Sequence, residues 1–315
     1  VDSLRRAVID VGTNSVKLLV ADIVGQNVNP VWEESKQTRL GQGFYETLRL
    51  QPEPIAKTAE AVAWFGARAR DYLVSGIRVI ATSAARDAVN AGELIAAIEA
   101  ASGLKVDVIS GEQEAAWAFE GATTDPSLAN EPLLLLDVGG GSTEFIAGLG
   151  GKRFFGQSFP LGSVRLLESL SLADPPAPIE LAQCRGQVRD FLEQQVKPRL
   201  QPALENLMRA APGRSVLFAG TGGTGTILGR MEAGLTTYDR QSIEAARLTH
   251  DRVRARMEQL WSLPLAERRE LPGLPKNRAD VILTGTVIYE AILNLFHFQE
   301  LRISTRGLRF AAVRA

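Results

Sequence analysis

The chain has 315 residues, with 35 lysines and arginines against 36 aspartates and glutamates, for a formal charge of −1. No global field therefore favours nucleic acid or an anionic membrane, and a polyanion must find a local basic groove. One cysteine, Cys184, and two histidines, His250 and His297, exclude an internal disulfide, a Cys₂His₂ zinc site and a histidine-rich dinuclear centre, and fit a reducing, cytoplasmic setting. A C-x₅-R cysteine phosphatase is excluded too, because Asp190 stands where its arginine is needed. The length suits two domains. No run reaches the roughly 18 to 20 apolar residues of a membrane span, and VDSLRRAV does not open as a signal peptide.

Along the chain, RAVIDVGTNSVKLLVADIV reads as strand, tight turn and strand around DVGTNS at 10–15. Residues 52–74 carry Ile55, Ala59, Val62, Phe65, Ala69 and Leu73 at helical spacing behind two prolines. IRVIAT at 77–82 reads as a buried strand. Asn90 stands where it can cap a helix ending at Gly103, KVDVIS at 105–110 is a further strand, and EQEAAWAFEGA opens a helix directly after Gly111. This alternation predicts an α/β layered domain. TTDPSLANEP at 123–132 is polar and proline-containing, and reads as a linker.

PLLLLDVGGGSTEFIAGLG then repeats the first hairpin: a slide of 127 residues puts Asp10 on Asp137, Gly12 on Gly139 and Ser15 on Ser142. An offset of one domain length indicates a duplicated domain rather than a repeat array. KRFFGQSF continues the pattern, helices are expected over 163–170 and 179–210, and SVLFAG at 215–220 leads through a glycine-rich turn into another helix. Residues 233–249 lack clear periodicity, and the apolar helix at about 278–298 is either core or the interface of a homodimer. LRISTRGLRFAAVRA closes the chain as a strand and a basic amphipathic helix.

Nine of the 29 glycines fall in three turns. In Gly12, Thr13, Asn14, Ser15 and in Gly139, Gly140, Gly141, Ser142 they let backbone amides converge on a phosphate, with the serine hydroxyls as further donors. Asp10 and Asp137 end their strands, where a carboxylate can hold Mg²⁺. Tight Asp-Gly hairpins are the plain alternative, but two copies behind apolar strands favour a phosphate site. In the third turn, AGTGGTGTILG, the amides of Gly222 and Gly223 open a helix whose dipole favours an anion. It contains a literal G-x-G-x-x-G at Gly220, Gly222 and Gly225, with Asp239 downstream. TTYDRQ is no strand pattern, however, so a dinucleotide fold matches poorly, and no lysine follows Gly225 to make a Walker loop.

DVGTNS, DVGGGSTE and AGTGGT, in this order, resemble the two phosphate motifs and the adenosine motif of the actin, sugar kinase and Hsp70 superfamily. ATSAARDA at 81–88, SGEQEA at 110–115, PLGSVRL at 160–166 and PKNRADVI at 275–282 narrow the resemblance to the exopolyphosphatase and guanosine pentaphosphate phosphatase family, over nearly the whole chain. The resemblance implies a two-domain α/β protein with the actin-like ATPase (ribonuclease H-like) fold, mixed β-sheets flanked by helices, and an active site in the interdomain cleft. Domain I is expected over 1–126 plus 299–315 and domain II over 127–298.

The resemblance also implies Mg²⁺-dependent hydrolysis of a terminal phosphoanhydride, in polyphosphate or guanosine pentaphosphate. Glu114 is the implied general base, with Gln113 replacing the family's first glutamate; without the resemblance, Glu114 reads as a solvated first-turn residue. Asp137 and Glu144 are the implied metal and water-positioning pair, with Asp10 a further metal candidate, and Arg86 the arginine that approaches phosphate. Lys17 is the counterpart of Glu144, so one turn is expected to serve metal and the other phosphate. Arg39, Arg165, Lys276, Arg278, Arg302, Arg306 and Arg309 either line a longer anion or are scattered surface charge. Polyphosphate is preferred over guanosine pentaphosphate because no dedicated guanine pocket is visible. A sugar-kinase-like phosphotransferase and a non-catalytic guanosine tetra- or pentaphosphate sensor remain as alternatives.

Overall fold

An apolar strand with no polar face, such as AVIDV, needs cover on both sides. The computed structural model, which describes residues 4–315, gives it that position. β1 (Leu4–Val11) lies between β2 (Ser15–Val24), antiparallel, and β4 (Ile77–Ala81), parallel. β3 (Asn27–Gln37) pairs with β2, although Pro30 and its mixed polarity hide it in the sequence. It is tolerated because β3 is an edge strand and the register shifts between Val20 and Ala21, opposite Trp32 and Pro30. Around these strands run α1 (Pro52–Asp71), the short α2 (Ser83–Asp87), α3 (Ala91–Ser102), β5 (Val106–Val108) and α4 (Gly111–Ala122), in the sheet order β3-β2-β1-β4-β5. Asn90 precedes α3 as expected, but its side chain caps nothing there. Its Oδ1 accepts from the Leu50 amide at 2.8 Å and its Nδ2 donates to the Leu50 carbonyl at 3.1 Å.

The second unit opens with α5 (Pro126–Ala129) inside the expected linker, followed by β6 (Leu133–Val138), β7 (Thr143–Leu149), β8 (Lys152–Phe159), α6 (Ser163–Glu168) and α7 (Pro178–Phe191). After a wide turn at Leu192–Val196 come α8 (Lys197–Ala210), β9 (Leu217–Thr221) and α9 (Gly222–Glu232). The stretch without periodicity contains α10 (Arg240–Ala245) and β10 (Arg247–Thr249), and α11 (His250–Ser262), α12 (Leu265–Arg268) and α13 (Ile282–Phe296) lead to β11 (Glu300–Ile303). The second sheet has the order β10-β11-β9-β6-β7-β8. Read from its β8 edge, it repeats the first sheet read from β3: two antiparallel hairpin partners, the aspartate strand, then a parallel neighbour. The duplication inferred from the 127-residue offset is therefore a duplication of topology.

The chain forms two compact units, one running to Thr124 and including Arg306–Ala315, the other Asp125–Thr305. The return to the first unit thus starts at Arg306 and not at 299, because β11 pairs with β9 and β10 in the second sheet. α14 (Leu308–Ala312) follows. Alternation divides β1: Ala7, Ile9 and Val11 join the core under α1 and α3, while Val8, with Leu19 and Ile80, packs against Leu308, Phe310 and Val313. The closing helix therefore covers a sheet face that would otherwise be apolar and wet. α13 is almost wholly buried in the core of the second unit, with Tyr289 fully enclosed, which makes that apolar helix core and not an interface. Cys184 is buried in the same core, which pushes its thiol up to about 12 and removes it from chemistry at neutral pH.

α4 crosses the start of α14 at Gly121, where an added Cβ would lie 2.1 Å from the Gly307 carbonyl oxygen. Glycine to alanine in a helix ordinarily stabilises by roughly 1 kcal/mol. Here the overlap reverses the sign: Gly121→Ala is expected to lose about 1–3 kcal/mol in denaturant unfolding. Gly92→Ala, whose added methyl meets open space, should not.

Candidate active site

In the first unit β1, β4 and β5 run parallel and end in one row, Val11 beside Ala81 beside Val108. Past that row the chain supplies the 12–14 turn, the start of α2 and the start of α4. Carboxyl ends of parallel strands are where such sheets present ligand-binding residues. Ser110 caps α4 by accepting from the Gln113 amide at 3.1 Å, and the helical phase then leaves Glu112 exposed and Glu114 buried. The Glu114 Oε2 accepts from Arg86 Nη1 at 3.0 Å, and the same nitrogen donates to the Ile109 carbonyl at 3.1 Å. The Glu114 side chain is 8% exposed and that of Arg86 24%. Glu114 is therefore not a solvated first-turn residue. Arg86, expected on phosphate, is fastened to the carboxylate.

The 12–14 turn is closed by the Gly12 amide donating to the Ser15 carbonyl at 3.1 Å. Its other carbonyls are held from behind: Thr13 accepts from the Gly41 amide at 2.7 Å, and Asn14 from the amides of Thr38 and Arg39 at 3.2 and 3.1 Å. Among the described residues the amides of Thr13 and Asn14 have no partner in the fold. Asp10 faces Lys17 across the hairpin. It is 4% exposed, and its Oδ1 has no hydrogen-bond partner. Burial raises its pKa, against the opposing charges of Lys17 and Arg309.

The second hairpin repeats this design. The Gly139 amide donates to the Ser142 carbonyl at 2.9 Å, and the carbonyls of Gly139 and Gly140 are taken by the first amides of α6: Ser163 on Gly139 at 2.9 Å, Val164 and Arg165 on Gly140 at 2.8 and 3.0 Å. Arg165 Nε adds a bond to the Gly141 carbonyl at 2.9 Å. The amides of Gly140 and Gly141, one 127-residue slide from Thr13 and Asn14, again have no partner among the described residues. The PLGSVRL segment is thus the clamp of this loop. Glu144 faces Asp137 across the hairpin, as Lys17 faces Asp10. Its Oε1 accepts from Ser142 Oγ at 2.8 Å and Ser158 Oγ at 2.6 Å, so the Ser142 hydroxyl positions Glu144.

The third turn serves Asp137. Thr221 is its register partner on β9, and an added Cβ on Gly222, whose φ is +78°, would lie 2.1 Å from Asp137 Oδ1. Gly223 opens on free space. Gly220 and Gly225 instead make room for Tyr289, whose hydroxyl would lie 2.5 and 3.0 Å from their added Cβ atoms. That hydroxyl donates to the Thr221 carbonyl at 3.3 Å, and burial, with Asp137 nearby, raises its pKa well above the usual tyrosine range. Asp239 accepts from the Ser242 amide as the cap of α10. The literal dinucleotide fingerprint is therefore packing and capping.

Most of the scattered basic residues are also tied. Lys276 pairs with Glu270 at 2.7 Å and Arg302 with Glu300 at 3.2 Å. Arg306 donates to the Thr124 carbonyl at 3.1 Å and Arg309 to the Leu18 carbonyl at 2.9 Å. His297 ends α13 in the left-handed conformation, a structural post.

The described residues contain no group of three or more His, Cys, Asp or Glu side chains able to hold a metal. The donor chemistry nevertheless suits Mg²⁺, which is commonly bound by one or two carboxylates with water and substrate phosphate completing its shell. Asp137 and Glu144 are adjacent and buried, and Asp10 carries a buried oxygen with no hydrogen-bond partner.

The Ppx/GppA phosphatase family model matches residues 19–311. The chain belongs to that family. It is 33% identical over 297 residues to Exopolyphosphatase 2 of Mycobacterium tuberculosis, covering 91% of this chain and 89% of that one. The solved PPX-GPPA enzyme of Aquifex aeolicus is 30% identical, with a TM-score of 0.77 and full coverage of both chains. An exopolyphosphatase from Cytophaga hutchinsonii is 25% identical, with a TM-score of 0.84 over 98% of this chain and 96% of that one. Two mixed sheets flanked by helices in two domains make this the actin-like fold of the family.

Three polar residues at strand ends were not singled out from the sequence: Thr38, Ser83 and Thr221 are buried with unpartnered hydroxyl oxygens. A hydroxyl residue at, or two residues past, the end of an apolar strand, in AGTGGT and in ATSAARDA, is the available signal for the last two. The Asn14 Nδ2 is orphaned in the same way. Buried polar atoms without partners are costly and rare, so each of these four calls for an explanation.

Removing Arg86 strips a buried carboxylate of its ion pair, so Arg86→Ala should cost about 3 kcal/mol in chemical unfolding. In a Glu114→Gln background the same change should cost less, with a coupling of roughly 1 kcal/mol or more. Gly162→Ala would drive a methyl to 2.3 Å from the Gly140 carbonyl oxygen. The amides of Ser163, Val164 and Arg165 should lose hydrogen-exchange protection together, while β6 keeps its own.

Proposed function

We propose that the protein is an exopolyphosphatase, hydrolysing the terminal phosphoanhydride of inorganic polyphosphate with Glu114 as general base. The buried Arg86–Glu114 pair at the end of a parallel strand carries the reading. A carboxylate there, paired with a guanidinium at 3.0 Å, can orient a water and accept its proton. Arg86 has further N–H donors in its fork for a phosphoryl oxygen.

The unpartnered amides of Thr13, Asn14, Gly140 and Gly141 are donors for phosphate oxygens, which is what outward-facing backbone N–H groups in a glycine turn offer. Asp137 and Glu144 would hold Mg²⁺, with Asp10 as the equivalent carboxylate of the first hairpin. When bound, the ion supplies neutralisation of phosphate charge and polarisation of the scissile bond. Ser142 and Ser158 keep Glu144 in place, and Gly222 leaves room for Asp137. The exopolyphosphatase name of the M. tuberculosis relative supports polyphosphate over guanosine pentaphosphate as substrate.

Purified protein with Mg²⁺ is expected to release phosphate from long-chain polyphosphate faster than from guanosine pentaphosphate, and a chelator should abolish release until Mg²⁺ is restored. Glu114→Gln should lower turnover by roughly 10²–10⁴-fold with an unchanged circular-dichroism spectrum. A folded Glu114→Gln protein with full activity would remove the residue from its role. Tight binding of guanosine pentaphosphate without release from either compound would replace the hydrolase by a nucleotide sensor.

A further inference from the structure

A cavity of about 700 Å³ in the first unit is lined by Gln37, Thr38, Arg39, Gln51, Glu53 and Lys57 among others, a volume in the range of small-ligand pockets. Its floor is the segment that fastens the first turn. Gln37 Nε2 donates to Asn14 Oδ1 at 3.2 Å, and the amides of Thr38 and Arg39 hold the Asn14 carbonyl. The cavity therefore adjoins the turn whose amides are unpartnered. Thr38, one of the lining residues, is 4% exposed, and its buried Oγ1 has no hydrogen-bond partner. Arg39 holds a left-handed backbone, φ 53°, a strained state for a residue other than glycine. The 20-residue α1 begins here with Gln51 at its N-cap and no side-chain cap. Pro52 and Pro54 bring no N–H, so the helix end contributes mainly its positive dipole.

We propose that this cavity is a second anion subsite, which takes the phosphoryl groups behind the terminal one in a polyphosphate chain and so sets chain-length preference; the inference rests on the exopolyphosphatase reading above. Arg39 and Lys57 supply positive charge, Thr38 a hydroxyl, and Gln37 one amide N–H beyond the one given to Asn14, while the Gln51 amide is spent on the carbonyls of Gly43 and Arg49. Glu53 is the one carboxylate in the wall, and its carboxylate accepts from Lys57 at 2.6 Å. Lys57 and Glu53 side chains are 57% and 77% exposed, so their bond is weak and exchangeable. An incoming phosphate competes with Glu53 for Lys57, and Glu53 acts as an electrostatic gate against short or weakly charged anions.

Glu53 and Lys57 therefore have opposite expected effects, which a structural role for the pair would not produce. Calorimetric binding of long-chain polyphosphate to Glu114→Gln protein is expected to weaken roughly 5- to 10-fold with Lys57→Ala. Arg39→Gly, which relieves the backbone strain while deleting the guanidinium, should do the same, and Glu53→Gln should tighten binding several-fold. Tripolyphosphate binding should move less than about twofold. In the active protein the same changes should appear in KM for long chains, with kcat preserved. Thermal unfolding of each variant verifies folding.

Unchanged long-chain binding and KM in all three variants of an active enzyme would overturn the subsite and leave the hydrolase intact. Weakening by both Lys57→Ala and Glu53→Gln would overturn it as well, reducing the pair to a structural bond. If the wild-type protein releases no phosphate from polyphosphate yet binds it with the predicted opposite responses, the exopolyphosphatase reading falls and the subsite stands. No binding of polyphosphate at all overturns both.

Discussion

The structure depends on one division of labour in a short backbone turn, used twice. A tight turn at a strand end has carbonyls and amides that cannot all be satisfied within it, and here the two kinds of group are separated. The carbonyls of Thr13 and Asn14 are held by the segment after β3, those of Gly139 and Gly140 by the N-terminal amides of α6. What remains is a pair of amides in each hairpin with no partner among the described residues. The glycine at 162 is a consequence, since the helix that provides the clamp must approach the loop to within a distance that no side chain permits.

Acidic residues are distributed around these turns by the same economy of space. Asp10, Glu114, Asp137 and Glu144 are all buried, which water-seeking charges resist unless something compensates. Their surroundings differ. Arg86 grips Glu114, two serine hydroxyls hold one oxygen of Glu144, the charges of Lys17 and Arg309 oppose that of Asp10, and Gly222 leaves space beside Asp137. The duplicated hairpins have diverged at one cross-strand position, Lys17 in the first and Glu144 in the second. The first is thereby electrostatically suited to anions and the second to a cation. The proposed second anion subsite would extend the first hairpin's character along the segment that fastens it.

Much of the fold was legible because its central strands are buried on both faces and its turns need glycine. The β1–β2 and β6–β7 hairpins, the α1 helix and the approach to Glu114 follow from those local rules. β3 was not legible, since an edge strand with a proline at a bulge has neither the apolar run nor the alternation that betrays a strand. The residue at which the C-terminus rejoins the first unit, Arg306, is not marked in the sequence for a related reason. β11 carries no mark in its sequence of which sheet it will join, and only pairing with β9 decides it.

By itself the sequence determined the residues available: two copies of an Asp-Gly turn, too few cysteines and histidines for a disulfide, a Cys₂His₂ zinc site or a histidine-rich dinuclear centre, and a glutamate in the first turn of a helix. These are properties of residue type and near spacing, which a linear text carries in full. Tertiary structure decided what each group touches. It gave Arg86 to Glu114 and the Ser142 hydroxyl to Glu144, turned the G-x-G-x-x-G into space for Tyr289 and Asp137, and left the Thr38 hydroxyl without a hydrogen bond. Those outcomes depend on residues distant in sequence converging as strands pair and helices pack, and no local rule specifies them.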